Sequence, residues 1–258
     1  MNNEFEIRII SLLDQKERRS RIQALLRDSG YEWDFFDAIS GKEVDPSLKN
    51  YDRSKRMKFP GHDLTPNEIA CFLSHREVWK QCVEKNKNFV VLEDDASIIR
   101  PGFGIEYLQK LLNAIIPHME ENNVVRLGHG DYRKEYQVIR NLDADFSLVR
   151  YQRDPLCALA YVITPQVAEK LMLNSEKFFL PVDDFMWNGN ESQCMVLDIE
   201  PVYFSTPVEN NPSTIGLRTK RRQNILEKIK REFYRALYQR NLKINEKMMM
   251  KAALKNGE

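Results

Sequence analysis

Three consecutive carboxylates, Glu93, Asp94 and Asp95, follow a run of four apolar residues, Phe89 to Leu92. Ionised side chains are seldom buried without a partner, so these acids are expected to reach water, a cation or a hydrogen-bonding loop. Mg²⁺ and Mn²⁺ prefer oxygen ligands, and in an extended segment Glu93 and Asp95 would share one face while Asp94 points the other way. The pattern therefore predicts a divalent-metal site, with a helix cap or a loop as the alternative.

A second pair of acids, Asp183 and Asp184, lies in the segment LPVDDFMWNG. A carboxylate held beside aromatic side chains such as Phe185 and Trp187 loses part of its hydration. This loss raises the pKa of the carboxyl group towards the range useful for accepting a proton. The pair is therefore a candidate general base. The alternative is that these acids cap the N-terminus of a helix.

The histidine and cysteine residues give weaker signals. His75 follows Ser74 in a helical pattern, where a histidine is more often a structural hydrogen-bonding residue than a catalyst. The cysteines are widely separated, and neither a CxxC pair nor a Cys/His cluster suggests zinc. We expect them to be small buried side chains in the reduced state; they are Cys71, Cys82, Cys157 and Cys194.

The elements that must position these residues alternate between strand and helix. The clearest helix begins at Thr65, where Pro66 fits the first helical position and Glu68 completes a capping box, and its apolar face extends to about Glu84. Helices are also predicted from Asp14 to about Asp28 and from near Pro165 through Leu171. Strands are predicted at Glu6–Leu12, Trp33–Ile39, Phe89–Leu92, Val124–Leu127, Phe146–Tyr151, Leu156–Ile163 and Val196–Phe204.

This alternation predicts an α/β sheet. In open sheets of this class, ligands bind outside the carboxyl ends of the strands, which is where the three acids after Leu92 fall.

Composition is that of a globular protein, with 42% hydrophobic and 30% charged residues and no apolar run near the roughly 20 residues of a membrane-spanning helix. The N-terminus, MNNEFEIRIISLLDQKERR, does not resemble a signal peptide, because its apolar run is short and acids interrupt it. We therefore expect a cytoplasmic location.

Charge is distributed unevenly along the chain. Residues 218–258 contain thirteen Lys or Arg against four Glu, a net charge of +9, which leaves −8 on residues 1–217 and +1 in total. We therefore divide the chain into a domain at 1–217 and a basic amphipathic helical tail at 218–258. An apolar stripe among the basic residues suits a helix lying on anionic lipid, or equally one packed on its own domain.

Several segments together resemble glycosyltransferase family 25, the lipooligosaccharide galactosyltransferase group. They are ISLLDQKERRSRI, FFDAISG, LTPNEIACFLSHREVWK, FVVLEDDASI, ALAYVITPQVAEKL and PVDDF, and the likeness covers roughly residues 6 to 215. The resemblance implies a GT-A fold, a UDP-sugar donor, Mn²⁺ or Mg²⁺, and transfer with inversion to a sugar hydroxyl of lipooligosaccharide.

The resemblance also implies roles for individual residues. Glu93 and Asp95 would hold the metal, and either Asp183 or Asp184 would be the catalytic base. The candidates for contacts with the nucleotide or the donor sugar are Ser11, Leu12, Arg18, Asp37, Ala38, Ser40, His75 and Asp94, with His75 placed either beside the donor or behind the metal ligands.

We therefore expect a hexosyltransferase that uses UDP-galactose, with UDP-glucose as the alternative donor. A metal-dependent nucleotidyltransferase or phosphohydrolase is the rival enzyme class, but neither GxxxxGK[ST] nor GxGxxG occurs in the chain. A non-enzymatic protein that binds through its basic tail is the rival outside enzymes. For the tail we expect the anionic surface of the inner membrane on its cytoplasmic side, or a homodimer, and not nucleic acid.

Overall fold

The computed structural model of the 258-residue chain describes most of residues 4 to 206 and isolated helical positions beyond residue 235. The described ranges are 4–45, 47–58, 62–98, 102–119, 123–129, 135–151 and 157–206, followed by residues 236, 238, 240, 241, 244, 247, 248 and 251.

Within these ranges, ten strands form one sheet. They are β1 (Phe5–Ser11), β2 (Glu32–Asp37), β3 (Asn88–Glu93), β4 (Ser97–Ile98), β5 (Asn123–Gly128), β6 (Tyr136–Asn141), β7 (Ser147–Tyr151), β8 (Ala160–Ile163), β9 (Met195–Glu200) and β10 (Phe204–Ser205). Their order is β2-β1-β3-β8-β5-β9-β7-β6, and β10 pairs with β4 and β5 beside this row.

The strand directions make the sheet mixed. β1 is parallel to β2 and β3, whereas β8 is antiparallel to both β3 and β5. β9 is parallel to β5, and β7 is antiparallel to β9 and β6. In the described row, β8 and β7 thus run against the other strands, so the predicted mixed, mostly parallel α/β sheet is confirmed.

Helices cover both faces of this sheet. They are α1 (Lys16–Leu26), α2 (Arg53–Lys58), α3 (Pro66–Lys85), α4 (Glu106–Ile115), α5 (Pro165–Asn174), α6 (Val182–Met186) and α7 (Gly189–Ser192). α1 and α4 contribute buried residues to the core on one face, and α3 and α5 contribute to the core on the other. In β1, Ile7 and Ile9 face the first core while Ile10 faces the second, as their alternation requires.

Helix α3 has the predicted start. The hydroxyl of Thr65 accepts a 3.2 Å hydrogen bond from the backbone N–H of Glu68, and the Glu68 carboxylate accepts a 2.8 Å bond from the Thr65 N–H. Pro66 occupies the first turn, and Asn86 ends the helix in the left-handed region with φ 49°. Both ends of the helix are therefore fixed by local sequence, which sets where its middle turns face the sheet.

The long strand predicted at Val196–Phe204 is wrong. β9 ends at Glu200, and β10 starts only at Phe204, where it pairs with β4 and with Gly128 at the end of β5. Pro201 lies between them, and a proline has no N–H to continue a ladder of hydrogen bonds.

Most of the predicted tail, 218–258, lies outside the described residues, but its described positions are helical. Tyr238 packs against the core that contains α3, and the side-chain amide of Asn188 donates a hydrogen bond to its hydroxyl. Of the helices that the structure describes, none combines the length and the apolar character needed for a membrane span.

Candidate active site

A cleft of about 310 Å³ opens at the carboxyl ends of β1 and β3, the edge at which ligands bind in such sheets. The loop after β2 and one face of α3 close its sides. Its lining residues are Ile10, Ser11, Leu12, Gln15, Arg18, Ala38, Ile39, Ser40, Gly41, Asn67, Ala70, Cys71, Ser74, Glu93, Asp94, Asp95 and Thr206.

Asp94 is held by two groups from the first β-α unit. Its Oδ2 accepts a 2.7 Å hydrogen bond from the hydroxyl of Ser11, and its Oδ1 accepts a 3.0 Å bond from the Arg18 guanidinium. Arg19 in turn donates to the backbone carbonyl of Ser11 at 2.9 Å and pairs with Asp37. Both oxygens of the buried Asp94 carboxylate are therefore engaged by the protein, and its charge is balanced by Arg18.

Glu93 is held by a buried hydrogen-bonded chain. His75, which has no exposed surface, places Nε2 3.2 Å from Glu93 Oε1 and Nδ1 2.8 Å from the hydroxyl of Tyr161. Trp79 Nε1 donates to the same hydroxyl at 2.9 Å. The groups are all satisfied if Tyr161 donates to Nδ1 and the Nε2–H donates to Glu93, which fixes the direction of the carboxylate.

Asp95 differs from its two neighbours. Its Oδ1 is buried and has no hydrogen-bond partner among the described residues. Burial, then the charges of Glu93 and Asp94, raise the pKa of Asp95 to about 7, although Arg18 acts in the opposite direction. Burying a carboxylate oxygen without a hydrogen-bond partner costs folding free energy. Asp95 Oδ1 is therefore suited to bind a ligand that the protein itself does not supply.

The predicted alternation of the three acids does not hold in detail. β3 ends at Glu93, and Asp94 and Asp95 lie in a turn closed by the Ala96 N–H bonding to the Glu93 carbonyl at 3.1 Å. All three carboxylates therefore line the same cleft, because the extended geometry that would separate them stops one residue earlier.

These acids fit a hard divalent cation. The donors are carboxylate oxygens, one of them is buried and unpartnered within the described residues, and the cluster carries more negative charge than Arg18 balances. Asp95 and Glu93 would hold such an ion, whereas both Asp94 oxygens already have protein partners.

Asp183 and Asp184 occupy the first turn of α6. Each affects the pKa of a different neighbouring residue. Burial, Glu93 and then Asp183 raise the pKa of the Cys71 thiol, while Asp184 is among the charges that, after burial, raise the pKa of Tyr238. Asp183 therefore lies within electrostatic reach of Cys71 at the cleft, although neither Asp183 nor Asp184 is among the described residues that line it. Asp184 lies towards the tail residue Tyr238.

A comparison with models of known protein families identifies the family of this chain. The model of glycosyltransferase family 25, described as an LPS biosynthesis protein, matches residues 5–186. The chain belongs to glycosyltransferase family 25. This membership confirms the predicted family and, at that level, the predicted glycosyltransferase class.

Curated relatives match over 70% of this chain. Procollagen galactosyltransferase 1-B of Xenopus laevis is 31% identical over 199 residues, covering 70% of this chain and 30% of the relative. Procollagen galactosyltransferase 2 of Homo sapiens is 30% identical over 202 residues, covering 70% and 29%. A Mus musculus relative, described as inactive glycosyltransferase 25 family member 3, is 26% identical over 187 residues, covering 70% and 31%.

The family 25 chain thus spans about 30% of the length of the curated relatives it matches. Because one of them is described as inactive, catalysis by this chain has to be argued from its own residues. Among solved structures, a glycosyltransferase involved in the glycosylation of the major capsid of PBCV-1 matches with a TM-score of 0.44 and 8% identity, covering 80% of this chain and 95% of that one.

Most residues predicted for the donor line the cleft of this family 25 protein. Those that do so are Ser11, Leu12, Arg18, Ala38, Ser40 and Asp94. Asp37 is exposed and pairs with Arg19, and His75 lies fully buried behind Glu93, so neither is among the described residues that line the cleft. The position of His75 behind Glu93 agrees with the second of the two placements predicted for it, and a donor contact by Asp37 stays a prediction.

The residues of α3 that line the cleft were not predicted; they are Asn67, Ala70, Cys71 and Ser74. Ser74 accepts a 2.9 Å hydrogen bond from the Ile39 N–H and donates to the Ala70 carbonyl at 2.8 Å, which ties the loop after β2 to the helix. At Gly41 an added Cβ would lie 1.9 Å from Asn67 Oδ1, so only glycine permits this approach. The small residues Ala70, Cys71 and Ser74, which share a helix face, were the available signal.

Proposed function

We propose that this protein transfers galactose from UDP-galactose to a sugar hydroxyl of lipooligosaccharide, with inversion at the anomeric carbon. The observation that carries the proposal is the Asp95 carboxylate, whose Oδ1 is buried in the cleft without a partner among the described residues. Membership of glycosyltransferase family 25 supports the reaction class, and the names of two relatives, both galactosyltransferases, favour galactose over glucose.

Asp95 and Glu93 would hold Mn²⁺ or Mg²⁺ beside the diphosphate of the donor. A bound divalent ion of this kind neutralises the negative charge that develops on the leaving diphosphate. His75 keeps the Glu93 carboxylate directed at the cleft, because its Nε2 lies 3.2 Å from Glu93 Oε1.

The first β-α unit would bind the nucleotide. Ser11 ends β1 and Leu12 follows it at the cleft, and Ala38 and Ser40 follow β2 beside it. Arg18 reaches the cleft while paired with Asp94, so it would bring positive charge to the phosphates while its own charge is balanced by Asp94.

Asp183 would act as the general base. The acceptor oxygen attacks the anomeric carbon, its proton passes to the Asp183 carboxylate, and the bond from the anomeric carbon to the diphosphate oxygen breaks to release UDP. Of the two acids in α6, Asp183 shares its surroundings with Glu93 and Asp95, since all three act on the thiols of Cys71 and Cys157. A positioned base contributes on the order of 10²–10⁴ in rate.

For the tail we propose contact with the anionic cytoplasmic face of the inner membrane. Ile244 and Met248 lie one turn apart on a helix, 48% and 58% exposed, with the exposed Lys247 and Lys251 beside them. Retention on anionic liposomes but not on nucleic acid at moderate salt would support this location, and a dimer that forms in the absence of lipid would contradict it.

The decisive experiment measures nucleotide release. The protein is incubated with a panel of nucleotide sugars and lipooligosaccharide acceptor, with Mn²⁺ or with EDTA. We expect metal-dependent release of UDP that is fastest with UDP-galactose. Faster release from UDP-glucose would change the assigned sugar, and the absence of turnover with every UDP-sugar would overturn the transferase.

A further inference from the structure

A cysteine, a histidine and a glutamate meet at the inner wall of the cleft. Cys71 Sγ, a ring nitrogen of His75 and a carboxylate oxygen of Glu93 all lie within 4.8 Å of one another. We propose that these three side chains form a site for a thiophilic divalent cation such as Zn²⁺, distinct in its chemistry from the carboxylate site at Asp95.

The spacing of the ligands suits one ion. Cys71 and His75 are one helical turn apart on α3, so their side chains share a face, and Glu93 approaches them from the end of β3. The distance between His75 Nε2 and Glu93 Oε1 is 3.2 Å. Two ligands at the Zn–N and Zn–O distances of about 2.0–2.1 Å lie roughly 3.3 Å apart in a tetrahedron, so this pair needs almost no movement.

The imidazole is already oriented as a metal ligand would be. A ligating histidine is usually fixed through its other ring nitrogen, and here Nδ1 contacts the Tyr161 hydroxyl at 2.8 Å. Trp79 donates to that hydroxyl at 2.9 Å, so the tyrosine is itself held in place. Nε2 is therefore the nitrogen that lies beside Glu93, 3.2 Å from its Oε1.

Ligand type separates this site from the neighbouring one. Thiolate and imidazole favour Zn²⁺ or Co²⁺, whereas the oxygens of Asp95 favour Mn²⁺ or Mg²⁺. Cys71 and Glu93 both line the open cleft, which provides access from solvent. On binding, the thiol proton leaves to the buffer and the His75 proton moves from Nε2 to Nδ1, so that the Nδ1–H donates to the Tyr161 hydroxyl and Nε2 binds the metal. Water can fill the fourth position.

Glu93 is common to both sites. If the proposed function is correct, a thiophilic ion that takes Glu93 removes one ligand from the ion beside UDP, so Zn²⁺ would oppose Mn²⁺-dependent binding of UDP. The thiophilic site itself does not depend on that function, because its ligands are defined by their own geometry.

The test uses Co²⁺ as a spectroscopic substitute for Zn²⁺ in the full-length protein. We expect a near-ultraviolet charge-transfer band from a thiolate bound to Co²⁺, which Zn²⁺ abolishes on addition. Cys71→Ser should remove the band, and this variant should fold because Cys71 lies at the cleft surface. Circular dichroism and thermal unfolding verify the fold.

Two matched variants make the result specific. Cys157→Ser changes the other thiol near these acids and should keep the band. Asp95→Asn should also keep it, while losing Mn²⁺-dependent binding of UDP, so that failure of the thiophilic site and failure of the proposed function give different results. The absence of a band in the unmodified protein, or a band that survives Cys71→Ser, would overturn the proposal.

Discussion

Ser11 Oγ donates a 2.7 Å hydrogen bond to Oδ2 of Asp94, a residue 83 positions later in the chain. The bond joins the carboxyl ends of the parallel strands β1 and β3 inside the cleft. Because Arg18 engages the other oxygen, the Asp94 carboxylate is fixed between the first β-α unit and the neighbouring acids Glu93 and Asp95.

Ser11→Ala should lower both stability and affinity for UDP. The variant removes a donor from a buried carboxylate, and hydrogen bonds to charged groups contribute about 1.5–3 kcal/mol. We expect the free energy of unfolding in urea to fall by about that amount. Ser47→Ala is the control, since Ser47 also donates to a carboxylate, that of Asp45, at 2.7 Å but on the surface. Equal losses in the two variants would contradict the role of burial.

Tyr161→Phe should weaken metal-dependent binding of UDP without touching the cleft. It leaves His75 Nδ1 and Trp79 Nε1 without their shared partner, so His75 is held less firmly behind Glu93. Loss of the contact behind a metal ligand costs about 10–100-fold in metal affinity, and we expect a shift no larger than this. The readout is the Mn²⁺ concentration at which UDP binding is half-maximal.

Tyr203→Phe provides the comparison for this prediction. The hydroxyl of Tyr203 is remote from the metal ligands and donates to the Gly104 carbonyl at 2.6 Å. This variant should lose stability but keep the Mn²⁺ requirement of the unmodified protein. A similar shift in both variants would mean that Tyr161 acts only through general stability.

Asp183→Asn should reduce kcat by about 10²–10⁴ while the affinity for UDP stays nearly unchanged, because the lost group accepts a proton from the acceptor. Asp184→Asn is the matched variant on the same helical turn and should have a much smaller effect. Steady-state kinetics and calorimetric titration with UDP distinguish the two. Near-normal turnover in both variants would remove this pair from the mechanism.

Much of the secondary structure around the site could be predicted from local sequence. The capping box at Thr65 and Glu68 specified the start of α3 correctly, and the apolar run before Glu93 specified β3. α4 was missed although Leu108, Leu111 and Leu112 have ordinary helical spacing. The start of α3, β3 and α4 could all be predicted from sequence because each depends on residues within one or two turns of one another.

The contacts inside the site depend on residues far apart in the chain. The partnership of His75 with Tyr161 spans 86 positions, and no local pattern in a single sequence identifies it. The same holds for Cys71, which looked like an isolated thiol until the sheet brought Glu93 to it. The turn at Asp94 also replaced the expected alternation, because strand pairing ends at Glu93.

Asp95→Asn should stabilise the metal-free protein at neutral and higher pH. The pKa of Asp95 is raised from 3.8 to about 7 by burial and by Glu93 and Asp94. Below about pH 4 the carboxyl group is protonated in the folded and unfolded states alike, so the variant gains nothing there. Between about pH 4 and pH 7 the unfolded chain loses the proton while the folded protein retains it, and the unmodified protein loses stability as pH rises.

At about 1.4 kcal/mol per pKa unit, we expect the free energy of unfolding of the Asp95→Asn variant to exceed that of the unmodified protein by about 2–4 kcal/mol at pH 8. Urea unfolding in EDTA at pH 4, 6 and 8 measures it, and a difference that is independent of pH would show that Asp95 carries no such shift.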